Sequence, residues 1–353
     1  MIRGIFNAQL RLGALSALLL MGFVLTAPFS YSADIDSLKK MAEKGDRDAQ
    51  LELGLKLMKG NNGSADPDQG VKWITKAAEN GSPKAQYSLG LIYDKGEYGM
   101  SRDVGEATKW YQKAAEQGNT KAQSNLGAIL ADSGDGSGAE GSLKWIKSAA
   151  MKGDTKAQFN LGLLYMRGEG GAEKDPKAAV DWFLMAAQKG HVEAQYNLAT
   201  MLYNGDGVPQ DKAGAAAVYK KAALGGHVES QYNLATMYYQ GDGVPEDKKS
   251  AAEFYQKAAD KGHVGAMYNL GVMNLNGDGV PQDKQTAYEL FGKAADQGDA
   301  QAQYGLASML IKGDGVARNE KQAIEWFEKA AGQGFQPAVA DLGKLKKTVQ
   351  QQP

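Results

Sequence analysis

One stretch of this 353-residue chain decides its fold. Residues 191–226 read HVEAQYNLATMLYNGDGVPQDKAGAAAVYKKAALGG, and residues 227–262 repeat the same pattern as HVESQYNLATMYYQGDGVPEDKKSAAEFYQKAADKG. The clearest trace of this pattern elsewhere is a pair of alanines with a glycine three residues beyond it. The pairs return about every 36 residues at Ala77-Ala78, Ala114-Ala115, Ala149-Ala150, Ala186-Ala187, Ala222-Ala223, Ala258-Ala259, Ala294-Ala295 and Ala330-Ala331. A fixed period of this length indicates stacked units rather than one globular core.

Each unit has the pattern of two amphipathic helices. In residues 154–190, Asp154 is a helix-capping residue, and an apolar face at helical spacing follows it up to Gly168, where the first helix should end. Asp175-Pro176 opens a second helix, since proline is tolerated in the first turn, and Gly190 stops it. Neither helix can bury its apolar face alone, so stacking of the units must stabilise both.

We therefore predict an all-α fold, a right-handed α-solenoid superhelix of about eight antiparallel helix pairs with a helical cap at each end, or eighteen helices in total. The expected division is a signal peptide at residues 1–32, a capping helix at 33–45, eight repeats at 46–334, and a capping helix with a tail at 335–353. End caps are expected because terminal units of a solenoid need a polar outer face.

Composition excludes several classes of function. The formal net charge is −1 and no basic block occurs, so nucleic acid is not an expected partner. Cysteine is absent, which rules out disulfides, thiolate metal sites and a cysteine nucleophile. Charged residues make up 23% and apolar residues 43% of the chain, as in a soluble folded protein.

The first residues have the pattern of a secretory signal peptide. Arg3 and Arg11 precede an apolar stretch from Leu12 to Leu25, and small residues follow, ending at Ser32. We expect cleavage after Ser32, no membrane insertion of the mature chain, and a periplasmic or secreted protein. The alternative is an uncleaved helix that anchors the protein in a membrane, because residues 12–33 carry no charge.

Three short motifs recur from unit to unit. In the unit quoted first they are AQYNLA at residues 194–199, GDGV at 205–208 and KAA at 221–223; residues 302–306 and 313–316 carry the first two again as AQYGL and GDGV. These motifs resemble the Sel1-like repeat, a relative of the tetratricopeptide repeat, over nearly the whole chain after residue 33. The resemblance implies an all-α superhelix that acts as an adaptor or scaffold, and many bacterial members are exported.

The five tryptophans share one position, four residues before the alanine pair. They are Trp73, Trp110, Trp145, Trp182 and Trp326, and Val218, Phe254 and Leu290 take that place in the other units. A large side chain at a fixed register opposite small ones is typical of packing between units rather than of a cofactor site. We expect Trp182→Ala to cost about 3–5 kcal/mol if the ring is core.

The residue types that suggest chemistry have structural explanations, and we expect no catalysis, metal or cofactor. His191, His227 and His263 stand where other units have capping residues, so capping is expected, and a spacing of about 10 Å is too wide for a shared zinc. The loops at 205–211, 241–247 and 277–283 are rich in aspartate but lack the twelve-residue calcium pattern. The Ser-x-x-Lys match at 37–40 has none of its companion motifs.

Tyrosines are the candidate partner-binding residues. They are Tyr196, Tyr203, Tyr232, Tyr239, Tyr268 and Tyr304, all in first helices of units five to eight. If these helices line the concave face, the tyrosines form a stripe that could bind a protein; the competing interpretation is packing between repeats. A parallel row of asparagines, including Asn197, Asn233 and Asn269, is expected to bond local backbone rather than a ligand.

The sequence thus predicts a monomer that binds a protein or peptide on its concave face and serves as a non-catalytic scaffold in the bacterial periplasm or cell envelope. Three alternatives stay open. The protein could be a secreted effector that binds a host protein, a peptidoglycan-binding protein, or an enzyme of the β-lactamase kind. The absence of cysteine and of the catalytic signature counts against the last.

Overall fold

The computed structural model describes residues 35–60, 65–132 and 138–350, and side chains as far as residue 345. The predicted signal peptide at residues 1–32 lies outside these ranges. The described residues form eighteen α-helices and no strand. The helices are α1 (Ile35–Glu43), α2 (Arg47–Lys59), α3 (Pro67–Glu79), α4 (Pro83–Lys95), α5 (Val104–Glu116), α6 (Thr120–Asp132), α7 (Ala139–Met151), α8 (Thr155–Arg167), α9 (Pro176–Gln188), α10 (Val192–Asn204), α11 (Lys212–Leu224), α12 (Val228–Gln240), α13 (Lys248–Ala259), α14 (Val264–Asn276), α15 (Lys284–Asp296), α16 (Ala300–Lys312), α17 (Glu320–Gly332) and α18 (Gln336–Gln350).

The helices pack in chain order, each mainly against the helix before it and the helix after it. The even-numbered helices α2 to α16 are the first helices of the eight units, and the odd-numbered helices α3 to α17 are the second helices. α1 and α18 complete the array at its two ends. The predicted all-α solenoid of about eight helix pairs is therefore confirmed.

Helix starts follow the predicted capping residues. Asp154 accepts a hydrogen bond from the backbone N–H of Ala157 at 2.8 Å, and Asp175 accepts one from that of Ala178 at 3.0 Å. The predicted end of α8 is confirmed as well, because Gly168 has a φ of 74° in the left-handed region. Local backbone chemistry thus sets where most of these helices begin and end.

The core lies between consecutive helices and is built on the alanine pairs. Ala186 is 0% exposed, and the residue three positions before it, Phe183, is 0% exposed too. Trp182 is only partly buried and packs against the apolar cluster between α8 of its own unit and α7 of the preceding unit. The tryptophan row does pack between units as predicted, but the more deeply buried side chain is that of the residue that follows each tryptophan: Ile74, Tyr111, Ile146, Phe183 and Phe327.

A glutamine in the first helix ties seven of the eight units to the helix before it. Gln158 donates from Nε2 to the carbonyl of Ala150 at 3.2 Å, eight residues back and at the end of α7. The same bond, at 2.9–3.1 Å, is made by Gln50, Gln86, Gln123, Gln195, Gln231 and Gln303. Met267 occupies this position in unit seven. These buried amides bond carbonyls at the helix ends, where intrahelical partners run out.

The GDGV loops fix how one unit sits on the next. Gly243 has a φ of 75°, and a Cβ added there would lie 2.5 Å from the Cβ and 2.7 Å from the carbonyl carbon of Lys212, at the start of α11. The loop after α12 therefore touches the start of the preceding second helix, and only glycine leaves room for this approach. Equivalent contacts are made by Gly207, Gly279 and Gly315.

Candidate functional site

The tyrosines predicted to bind a partner lie on four first helices, α10, α12, α14 and α16, and all are partly buried. Tyr196, Tyr232 and Tyr268 occupy the same position in consecutive units. Each ring contacts the buried aromatic of its own second helix at a centroid distance of 5.7–6.1 Å. These aromatic partners are Tyr219, Tyr255 and Phe291, at 3%, 2% and 2% exposure. Packing therefore fixes the orientation of the three rings.

The histidines cap helices, as predicted. Nδ1 of His227 accepts the backbone N–H of Ser230 at 3.1 Å, which places the ring proton on Nε2, 3.1 Å from a carboxylate oxygen of Glu193. The imidazole also stacks on Tyr196 of the preceding unit at 4.5 Å. His191 and His263 cap and stack in the same way. Burial lowers the pKa of His191, which favours the neutral ring that can cap.

The second tyrosine of a unit bonds an aspartate of the next unit. Tyr203 donates from its hydroxyl to Oδ2 of Asp242 at 2.7 Å, and Tyr239 does so to Asp278 at 3.3 Å. The bond to Asp242 is the main cause that raises the pKa of Tyr203. These two hydroxyls are therefore committed to contacts between repeats.

The same aspartates bind lysines. Lys212 Nζ lies 2.8 Å from Oδ1 of Asp242, and Lys248 Nζ lies 3.0 Å from Oδ1 of Asp278. The hydrogen bond from Lys212 holds the pKa of Asp242 below its usual range. Within the described ranges, no group of three or more metal-ligating side chains is assembled. In two of the three loops that suggested calcium, an aspartate is thus paired with a lysine of the preceding unit, and the aspartates that close all three loops cap the next helix.

Tyr304 occupies the equivalent position in unit eight, but its hydroxyl is engaged by the C-terminal cap. Its hydroxyl donates to Oδ2 of Asp341 on α18 at 3.0 Å, and its ring also contacts Phe335 at 5.5 Å. It lines a cavity of about 310 Å³ at the C-terminal end of the array, together with Lys344. The structure therefore associates Tyr304 with the C-terminal cap rather than with the centre of the tyrosine stripe.

Three hydroxyls stand apart from these. Among the described residues, the hydroxyls of Tyr196, Tyr232 and Tyr268 make no hydrogen bond, although their rings are held by the contacts given above. We call these three hydroxyls the hydroxyl row. The six candidates thus divide into three with committed hydroxyls and three whose hydroxyls are available to a ligand.

A cavity of about 360 Å³ opens between α12 and α14 beside this row. We call it the groove. Its lining is uncharged and consists of Tyr232, Thr236, Tyr239, Gln240, Tyr255, Tyr268, Asn269, Val272 and Met273. Tyr232 and Tyr268 of the hydroxyl row stand on its two sides, and Tyr196 lies one unit further along the same face.

Sequence reasoning missed the polar contacts in the groove. Thr236 Oγ1 lies 2.9 Å from the hydroxyl of the buried Tyr255, and Asn269 lines the same cavity. The expectation that the asparagines bond local backbone holds for Asn197, which donates to the carbonyl of Glu193 at 2.8 Å. It is wrong for Asn125, the equivalent residue of unit three, which donates from Nδ2 to the hydroxyl of Tyr111 in the preceding unit at 3.2 Å. The sequence did carry a signal for these contacts. Threonine and asparagine recur at fixed positions of the first helices, on a face that is otherwise apolar.

No helix among the described residues combines the length and the apolar character that crossing a membrane requires.

Comparison with protein families gives one match. The Sel1 repeat model matches eight consecutive segments at residues 47–82, 83–119, 120–154, 155–191, 192–227, 228–263, 264–299 and 300–335. No curated protein sequence matches the chain.

Two solved structures are similar over most of the chain. One is c5321, described as a protective antigen present in uropathogenic Escherichia coli strains and displaying an SLR fold; it is 37% identical with a TM-score of 0.83, and the alignment covers 88% of this chain and 67% of that one. The other is a Sel1 repeat protein from Oxalobacter formigenes, 34% identical with a TM-score of 0.64, covering 88% of this chain and 90% of that one.

Proposed function

Because the chain belongs to the Sel1 repeat family, whose solenoids generally serve as scaffolds for protein interactions, we propose that it is a non-catalytic scaffold of the bacterial periplasm or cell envelope that binds a protein or peptide on its first-helix face. The observation that carries this proposal is the hydroxyl row beside the uncharged groove, where three tyrosines have fixed rings and free hydroxyls. Fixed aromatic side chains with a polar tip suit binding, since little entropy is lost when a partner engages them.

The groups that catalysis would use are engaged elsewhere, which supports a binding role. The Nδ1 atoms of His191, His227 and His263 accept backbone hydrogen bonds at helix starts. Asp242 and Asp278 are bound by a lysine and a tyrosine each. Placement outside the cytoplasm rests on the charge and hydropathy pattern of residues 1–32.

The binding face is tested by site-specific photo-cross-linking in intact cells. A photoreactive amino acid is placed at Gln240, which is exposed beside the groove, or at Glu253, which is exposed on the second helix α13 of the same unit. We expect a discrete adduct of higher mass from position 240 and none from 253. Adducts from both positions alike, or from neither, would contradict the proposed face.

The proposed location is tested by cell fractionation and N-terminal sequencing of the native chain. We expect recovery with the periplasmic fraction and a mature protein that begins at Ala33. Recovery from the cytoplasm with an intact N-terminus would contradict the location, and recovery from the culture medium would favour the secreted effector.

A further inference from the structure

The first helices of units two to four each carry a lysine at the same place in the first turn. The three residues are Lys84 on α4, Lys121 on α6 and Lys156 on α8, and all are exposed. We call them the lysine row. Among the described residues, none of their ammonium groups forms an ion pair with a carboxylate. The carboxylate that precedes α8, Asp154, caps that helix instead. The row is therefore a set of positive charges that the fold leaves without acidic partners.

Contacts between units join the three helix starts into one surface. Asn119, which precedes α6, donates from Nδ2 to the carbonyl of Pro83 at 3.3 Å, directly beside Lys84. Nζ of Lys156 lies 3.4 Å from Oδ1 of Asn125 on α6. α6 and α8 also approach each other directly, although α7 separates them in the chain. The lysine row therefore lies on one continuous stretch of the first-helix face.

The charge at this position changes sign at both ends of the row. Unit one has Asp48 there, and units five and six have Glu193 and Glu229. All three acidic residues are exposed. An anionic ligand would thus be attracted to units two to four and repelled by the acidic residues on either side of them.

Helix stability does not explain the lysines. The aligned peptide dipoles leave a partial positive charge at the start of a helix, so an acidic residue is favourable in the first turn and a lysine is not. α4, α6 and α8 have no acidic residue in the first turn, whereas α10 has Glu193 at the same place. The lysine row is therefore expected to serve binding rather than folding.

Aliphatic side chains lie two turns further along the same three helices. They are Leu91, Ala128 and Leu163, each partly exposed and each seven residues after a lysine of the row. Residues seven apart lie on the same face of an α-helix. In units five and six this position holds Thr200 and Thr236, whose hydroxyls lie 2.9 Å from those of buried tyrosines. Only units two to four thus combine the lysines with an aliphatic strip.

This combination favours a peptide over a nucleic acid. Proteins that bind single-stranded nucleic acid pair positive charge with aromatic rings on which the bases stack. The rings on α4 and α8, Tyr87 and Phe159, instead pack on Tyr111 and Phe183 at centroid distances of 5.9 Å. A peptide that carries both carboxylates and aliphatic side chains complements the lysines and the aliphatic strip together.

We infer that Lys84, Lys121 and Lys156 bind carboxylate side chains in an acidic segment of a partner protein, and that apolar residues of the same segment contact Leu91 and Leu163. This inference rests on the proposed function and adds to it the chemistry of the partner. The segment would lie on the first-helix face of units two to four, on the N-terminal side of the groove.

The experiment measures binding of a fluorescein-labelled dodecapeptide of repeated Asp-Leu-Glu to the mature protein by fluorescence anisotropy. The charge control is the same peptide with Asn and Gln in place of Asp and Glu, and the nucleic-acid control is a labelled oligothymidine of the same length. We expect saturable binding of the acidic peptide that weakens as sodium chloride is added. Both controls should bind at least about fivefold more weakly, since three exposed ion pairs are lost with the neutral peptide.

Two matched variants reverse the same number of charges. Lys84→Glu, Lys121→Glu, Lys156→Glu should weaken binding of the acidic peptide at least about tenfold, because attraction becomes repulsion. Its urea midpoint should not fall, because glutamate suits the first turn of a helix. The control Lys72→Glu, Lys147→Glu, Lys177→Glu changes exposed lysines of the second helices α3, α7 and α9 and should leave affinity within about threefold, since salt screens distant charges.

Four results would overturn the inference. They are no binding by the native protein, equal binding of the neutral peptide, equal or tighter binding of oligothymidine, and similar affinities for the two charge-reversed variants. The last of these would show that net charge rather than the lysine row attracts the peptide.

Failure here can be told apart from failure of the scaffold proposal. If position 240 forms its adduct in cells while the acidic peptide does not bind, the protein is a scaffold for a partner of another chemistry. If neither position 240 nor position 253 forms an adduct, the face assigned in the scaffold proposal is wrong, whatever the peptide does.

Discussion

The contrast between Phe183 and Trp182 gives the sharpest test of the packing. Phe183 is 0% exposed, and its ring lies so close to α8 that a Cβ added at Gly162 would be 2.6 Å from Cε1 of the ring. Full burial of a phenyl side chain is worth about 2–3 kcal/mol. Truncation also leaves a cavity, so Phe183→Ala should lower the free energy of unfolding by about 3–5 kcal/mol. Trp182 is partly exposed, so Trp182→Ala should cost about 2 kcal/mol, less than the sequence alone suggested.

Urea denaturation followed by circular dichroism measures both variants. The midpoint should fall further for Phe183→Ala than for Trp182→Ala, with the slope of each transition unchanged. Phe183→Leu, which keeps most of the volume, is the control and should cost about 1 kcal/mol. The reasoning is refuted if Trp182→Ala destabilises the protein as much as Phe183→Ala, since the buried ring would then be the tryptophan.

Three further predictions concern the contacts between units. Gly243→Ala should destabilise the protein by about 2–4 kcal/mol in chemical denaturation, because alanine disfavours the positive φ at this position and its Cβ would collide with Lys212. The control Gly292→Ala lies in a helix with open space around the added Cβ, so it should be neutral or stabilising. Burial lowers the pKa of His191, so the unfolded chain binds the proton more readily, and stability should be full above pH about 6.5 and fall below it. His191→Asp should reduce that loss between pH 7 and about 5, as an ionised aspartate can cap there; an identical pH profile for both proteins would contradict this. A double-mutant cycle on Lys212 and Asp242 should give a coupling free energy under about 1 kcal/mol that decreases as salt is added, because both side chains are partly exposed. A larger coupling that does not depend on salt would show that the pair is effectively buried.

The helices could be predicted from the sequence because their limits depend on local chemistry. Asp154 and His227 cap helices because each stands directly before a helix and can accept a backbone N–H. Residue types that cap helices recur at this position from unit to unit, and this recurrence is visible in the sequence. The alanine pairs are buried because small side chains let neighbouring helices approach.

The contacts between units could not be predicted in the same way. Trp182 and Phe183 are adjacent aromatics about 100° apart around α9, and which of them enters the core depends on where α8 lies. Tyr203 and Asp242 are 39 residues apart, so their hydrogen bond depends on the rise from one unit to the next. The division of the tyrosines into committed and free hydroxyls follows from that rise and stays hidden in the sequence. Whether the free ones bind a partner remains a prediction.

The contacts that Asp242 makes with Tyr203 and Lys212 have a consequence for how such a protein can change its length during evolution. Each of these contacts reaches from one unit to the next and no further, over 39 and 30 residues of chain. Duplication of one 36-residue segment would copy both halves of every contact, so the new unit would meet matching surfaces above and below. A single duplication or deletion can therefore lengthen or shorten the array by whole units, and the length of the first-helix face changes in proportion.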